Sequence, residues 1–130
     1  MCPALCCDGS LPACSPRQVS ILRELSHPHI VRYLGLERSF DPVGSQGCLS
    51  IFLEYVPGGS LSSMVERFGP LPEVRVREVG RDVLTGLEYL HAHGIAHRDV
   101  KGANILMSEQ GRAKLTDFGH SKRIGQVTRA

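Results

Sequence analysis

The first hundred residues of this chain contain no lysine; Lys101, Lys114 and Lys122 are the only three, and all come later. Chemistry that needs an ammonium group from that long opening stretch is excluded. Tryptophan is absent too, yet 42% hydrophobic and 22% charged residues over a length of 130 are ordinary for one globular domain. No apolar run approaches a membrane span, which excludes a membrane-crossing helix. A net charge of +2 is too small to argue for a nucleic-acid or membrane surface as partner. Internal repeats and low-complexity tracts are missing.

Cysteine is scarce except at the start, where Cys2, Cys6, Cys7 and Cys14 fall within fourteen residues. The group lacks a paired C-x-x-C and holds no histidine, so it is a poor zinc set. A disulfide reading needs export, and this Cys- and Pro-interrupted start is not a signal peptide. Residues 1–16, with Pro3, Pro12 and Pro16, read as a disordered leader with free thiols in a reducing compartment. Cys48 reads as a residue at a strand's edge.

Periodicity then predicts the elements. A helix begins at Arg17, carries Val19, Ile21, Leu22 and Leu25, and ends at Ser26-His27-Pro28. Residues 29–34 read as a strand, 35–48 as a connection and 49–56 as a second strand stopped by Pro57-Gly58-Gly59. Residues 60–67 form a short helix capped by Ser60. Pro72 opens a longer helix whose Val76, Val79, Val83, Leu84, Leu87 and Leu90 require one buried face, and Gly94 ends it. Two strands early and helices later give an α+β class with a site at the junction.

The chemistry lies in His97-Arg98-Asp99-Val100-Lys101-Gly102-Ala103-Asn104, followed by Asp117-Phe118-Gly119. Between them, 105–107 and 113–116 read as a β-hairpin turning at Glu109-Gln110-Gly111-Arg112, with a glycine where positive φ is required. Pairing Ile105 with Thr116 and Leu106 with Leu115 would bring Asn104 and Asp117 together at the open end. Magnesium takes hard oxygen ligands, commonly one or two from protein, with phosphates and waters completing the shell. An Asp carboxylate and an Asn amide oxygen suit it. Asp99 can accept a hydroxyl proton while Lys101 directs charge at a transferred phosphate.

These two motifs, at this spacing and with these flanks, resemble a eukaryotic protein kinase. Lys101, two residues after Asp99, is similar to the serine/threonine class. Residues 53–61 (Leu-Glu-Tyr-Val-Pro-Gly-Gly-Ser-Leu), 97–104 and 117–123 most resemble the mitogen-activated protein kinase kinase kinases. The resemblance covers roughly residues 17–130. It implies a two-lobed α+β fold, incomplete at both ends: residues 17–56 as part of the small lobe and hinge, 57–130 as the large lobe up to the start of the activation segment. It implies ATP and Mg²⁺ as cofactors, a protein substrate that is a downstream kinase, no nucleic-acid or membrane partner, and a cytoplasmic location. By it, Asp99 and Lys101 are catalytic, and Asn104 and Asp117 hold metal. Leu53 guards the back of the nucleotide pocket, backbone groups of Glu54 and Val56 bond adenine, and Leu106 lies beneath it. His97, Phe118, Leu22 and Tyr33 form a stacked column, with His97 supporting backbone rather than moving protons. Arg98 is the arginine that meets a phosphate on the activation segment. His91, His93 and His120 are surface or packing residues, and Ser121 and Thr128 are candidates for modification.

The chain departs from the family pattern in places. It has no G-x-G-x-x-G, no lysine for the α- and β-phosphates, Gln18 where the partner glutamate belongs, and no Ala-Pro-Glu after Asp-Phe-Gly. Glu24 lies on a different helix face. One lost charge-stabilising group costs about 2.7–4 kcal/mol of transition-state stabilisation, so negligible phosphotransfer is expected from this chain alone. Native stability is only about 5–15 kcal/mol, and poor folding of the isolated chain is expected from apolar faces without partners. Two other readings stay open: a catalytically inactive kinase-like regulatory module, and a truncated gene product.

Overall fold

The computed structural model describes residues 3–4, 16–40 and 47–125. In order, Pro3–Ala4 (β1), Pro16–Glu24 (α1), Tyr33–Phe40 (β2), Gly47–Leu53 (β3), Leu61–Phe68 (α2), Glu73–Ala92 (α3), Ile95–Ala96 (β4), Ile105–Met107 (β5), Ala113–Leu115 (β6) and Lys122–Arg123 (β7) make a mixed helix-and-strand arrangement, with a 3-10 turn at Gly102–Asn104. Strands pair antiparallel as β1-β3-β2, β4-β7 and β5-β6. Among the described residues no helix is long and apolar enough to cross a membrane.

α1 starts on a proline, whose missing N–H costs nothing at a first helical position. Val19, Ile21 and Leu22 turn into the core. The extended segment after it differs from expectation. Residues 29–31 pair with β6 rather than forming a strand of the sheet: Leu115 N–H donates to the His29 carbonyl at 2.8 Å and Val31 N–H to the Leu115 carbonyl at 2.9 Å. The sheet strand comes later, and residues 35–40, expected as a connection, pair with β3. Glu37 and Arg38, both exposed, give β2 a polar outer surface that hides its strand character. Pro3–Ala4, inside the expected leader, lies against Phe52 and Ile51, because the open edge of β3 offers ladder partners to any extended segment. The cysteines of that leader, and Thr128, lie outside the described residues.

Ser60 caps α2 as expected, its Oγ accepting the Ser63 N–H at 3.1 Å. α3 buries Val79, Asp82, Gly86 and Leu90. Val83 and Leu87 are half-buried, while Val76 and Leu84 are 53% and 67% exposed, so the stripe is rotated from the one expected. An aspartate occupies its centre because partners are provided. Asp82 Oδ2 accepts the Ala113 N–H at 3.0 Å, and Oδ1 meets Arg112 at 2.9 Å and the His29 ring at 3.5 Å. Among the described residues no buried side-chain polar atom lacks a hydrogen bond.

The β5–β6 hairpin sits at the centre. Its core face, Ile105, Met107, Ala113 and Leu115, joins one cluster with Ile21, Leu22, Ile30, Leu90 and Phe118. Gly111 turns it with φ 73°. The other edge of β5 receives the chain leaving β3: Gly58 N–H bonds the Met107 carbonyl at 2.8 Å and Met107 N–H the Gly59 carbonyl at 2.9 Å. A side chain at Gly58 would collide with the Met107 carbonyl, so close approach requires glycine there.

Candidate active site

The hairpin register is one residue away from the expected one. Ile105 pairs with Leu115, Leu106 with Lys114 and Met107 with Ala113. Burial decides this, since both strands alternate buried, half-buried, buried, and only this register puts apolar residues on one face. Asn104 therefore sits opposite Thr116, whose N–H donates to the Asn104 carbonyl at 3.0 Å, and Asp117 follows immediately.

Asn104 is buried at the base of the loop. Its Nδ2 donates to the Asp99 carbonyl at 2.9 Å and to Asp99 Oδ2 at 3.0 Å. This amide fixes the candidate base through its Nδ2. Lys101 Nζ lies 3.5 Å from Asp99 Oδ1 and His120 Nδ1 lies 3.4 Å from Oδ2. Partial desolvation pushes the Asp99 carboxyl up. The Lys101 charge and hydrogen bond, His120 and the Asn104 amide together outweigh this and hold it below the usual range. Asp99 is thus an ionised acceptor. His120, exposed as expected of a surface residue, is one of its neighbours.

His97 serves the backbone, as the resemblance implies. Its Nδ1 takes the Asp99 N–H at 3.2 Å and its Nε2 faces the Thr116 carbonyl at 2.9 Å. The ring stands edge-on to Phe118, centroids 5.0 Å apart. Phe118 and Leu22 belong to the same core, with Tyr33 packed against it. Arg98 and Asp117 are the non-glycine residues with positive φ among those described, 66° and 61°. Such backbones cost about 1–3 kcal/mol and cluster at functional sites. Asp117 is exposed and its Oδ1 accepts the Gly119 N–H at 3.1 Å. Arg98 Nε donates to the His120 carbonyl at 2.7 Å. Beside it a cavity of about 360 Å³ brings Arg98, Phe118 and Gly119 to Arg17 and Gln18. Glu24, on another face, bonds Arg123 at 2.8 Å. Ser121 is buried, its hydroxyl donating to the His97 carbonyl, which argues against modification of the folded chain.

The residues expected at the nucleotide lie where the chain leaves β3 and on β5. Leu53 packs on the core and Val56 is buried. Glu54 N–H is engaged with the Arg32 carbonyl at 2.9 Å, so of the Glu54 backbone groups only the carbonyl lacks a backbone hydrogen-bond partner among the described residues. Leu106 is half-buried and bridges to Ser60. Sequence reasoning missed the Glu54 side chain, which accepts Lys114 Nζ at 2.7 Å and Arg32 N–H at 2.9 Å. It also missed Asp82, for which a signal existed: three residues after Val79, it lies on the core stripe.

Asn104 holding Asp99, Asp117 just past the hairpin, and Leu53 and Leu106 near the β3 exit are the features a phosphoryl-transfer site would draw on. The chain belongs to the protein kinase domain family, whose pattern matches residues 12–129. It is 54% identical over 110 residues to mitogen-activated protein kinase kinase kinase ANP1 of Arabidopsis thaliana, covering 85% of this chain and 16% of that protein. Mitogen-activated protein kinase kinase kinase A of Dictyostelium discoideum is 47% identical over 113 residues, 85% of this chain and 11% of the relative. Serine/threonine-protein kinase STE11 of Saccharomyces cerevisiae is 45% identical over 112 residues, 86% and 15%. The chain thus spans only a small part of the curated relatives it matches.

Proposed function

We propose that this chain carries the phosphoryl-transfer centre of a serine/threonine protein kinase of the mitogen-activated protein kinase kinase kinase type, acting on a protein hydroxyl of a downstream kinase in the cytoplasm. Asp99 accepts the hydroxyl proton and Lys101 stabilises charge on the transferred group. Asn104 Oδ1 and the Asp117 carboxylate are the magnesium donors. Both are hard oxygens, and Asp117 is exposed, which fits an ion completed by phosphates and water. Bound magnesium supplies neutralisation of phosphate charge. Adenine fits between Leu53 and Leu106, with the Glu54 carbonyl and Val56 amide at its edge. The observation that carries the reading is the Asn104 amide on both oxygens of Asp99 (carbonyl and carboxylate).

The regulatory alternative draws on Gln18 and on the lack of lysine before residue 101. Titration of the chain with Mg·ATP decides. Saturable, magnesium-dependent binding that Asp117→Asn removes is expected, and no binding at millimolar nucleotide would overturn the proposal. Radiolabel transfer to protein by this chain should stay at background. Transfer that disappears in Asp99→Asn would show that the missing lysine is dispensable.

A further inference from the structure

Among the ion pairs that the proposed chemistry does not use, one joins β6 to the β3 exit. Lys114 Nζ and Glu54 Oε1 lie 2.7 Å apart, with side chains only 21% and 26% exposed. The same Oε1 accepts the Arg32 N–H at 2.9 Å, and the Glu54 N–H returns to the Arg32 carbonyl at 2.9 Å. Three separate stretches meet at one carboxylate: the approach to β2, the exit from β3, and β6. Lys114 stands opposite Leu106 in the ladder, between Ala113 and Leu115, which are fully buried on the core face. Leu106 and Lys114 therefore share the other face of the hairpin, toward the β3 exit. Burial pushes the Glu54 carboxyl up, but Lys114 and the Arg32 amide more than offset it and keep the group ionised.

From Glu54 to Gly58 the chain is also held by the buried Val56 side chain. Glu54 is tied to Arg32, Gly58 is tied to Met107, and Tyr55 between them is 60% exposed. The Glu54 carbonyl and the Val56 amide lie inside this span. A charge-assisted hydrogen bond at its start reaches across to the hairpin strand that faces Leu106.

We propose that Glu54 and Lys114 are positioning residues for adenine: their ion pair locks the β3 exit to the hairpin, so that the backbone groups that read the base and the strand beneath it move as one unit. The proposal rests on the nucleotide reading above. A pair that served only general stability would weaken every ligand alike.

The test uses the 130-residue chain and two probes, Mg·adenylyl-imidodiphosphate and Mg·tripolyphosphate. Glu54→Gln and Lys114→Met should each weaken the adenine nucleotide by about five- to ten-fold, within the range of coupled contacts, and the double variant should lose no more than either single one. Tripolyphosphate binding should stay within about two-fold, because its partners are elsewhere. Lys114→Arg should restore nucleotide affinity. Additive losses, or equal losses for both probes, would overturn the proposal. Amide hydrogen exchange separates failures: α3 amides report whether a variant is folded, and Glu54 and Val56 amides report the tether. A wild-type chain that binds neither probe would sink the nucleotide reading instead. The tether then stands if both variants speed exchange at Glu54 and Val56 alone, and falls if exchange is unchanged.

Discussion

Two carboxylates show how the same residue type is put to different work by its surroundings. Asp82 is buried and fully partnered by the Ala113 amide, Arg112 and His29. Asp82→Ala leaves that amide buried without an acceptor, a loss of about 1–3 kcal/mol, and Asp82→Asn should recover part of it; urea midpoints measure both. Glu54 is held below the ordinary glutamate value of 4.5. A depressed folded pKa contributes stability that is complete above the unfolded value and is lost as pH falls through the folded one. The thermal midpoint should therefore drop below pH 4.5, and Glu54→Gln should flatten that acid limb. Neither role is visible in spacing. Asp82 resembles a surface charge until its helix face is known, and Glu54 and Lys114 are sixty residues apart.

At the scale of elements, the α1 core face, the capped α2, the hairpin and its glycine were legible because each has a local cause. Apolar spacing, a Ser hydroxyl and a positive φ act within a few residues. What was not legible depended on a partner far away in sequence. Ile30 and Val31 are apolar, but only β6 decides that this segment pairs there rather than in the sheet. The hairpin register shifts by one because burial on the α3 side outranks turn length. The α3 stripe follows from the same cause, and it predicts contrasting truncations. Leu115→Ala removes a fully buried side chain and should cost about 2–5 kcal/mol. Leu84→Ala, at 67% exposure, should stay within about 0.5 kcal/mol. Equal effects in chemical denaturation would mean that α3 faces the hairpin with its other side.

For the molecule as a whole, the candidate site is a convergence of long-range contacts onto one hairpin. The motifs named the candidate residues. The fold alone shows that the Asn104 amide is turned to Asp99, while Asp117 stands exposed beyond the last ladder bond. That arrangement makes nucleotide binding and folding stability linked quantities. A ligand that binds only the folded chain stabilises it by about 2.7 kcal/mol at a hundred times its dissociation constant. Mg·ATP should therefore raise the melting midpoint of the chain in a concentration-dependent way. ATP with a chelator should do much less, since uncompensated phosphate charge would face the Asp117 carboxylate. Asp117→Asn should narrow the difference between the two, because it weakens the ion's hold while leaving the adenine shelf intact. A midpoint that rises equally with and without magnesium would place the triphosphate somewhere other than the open end of the hairpin.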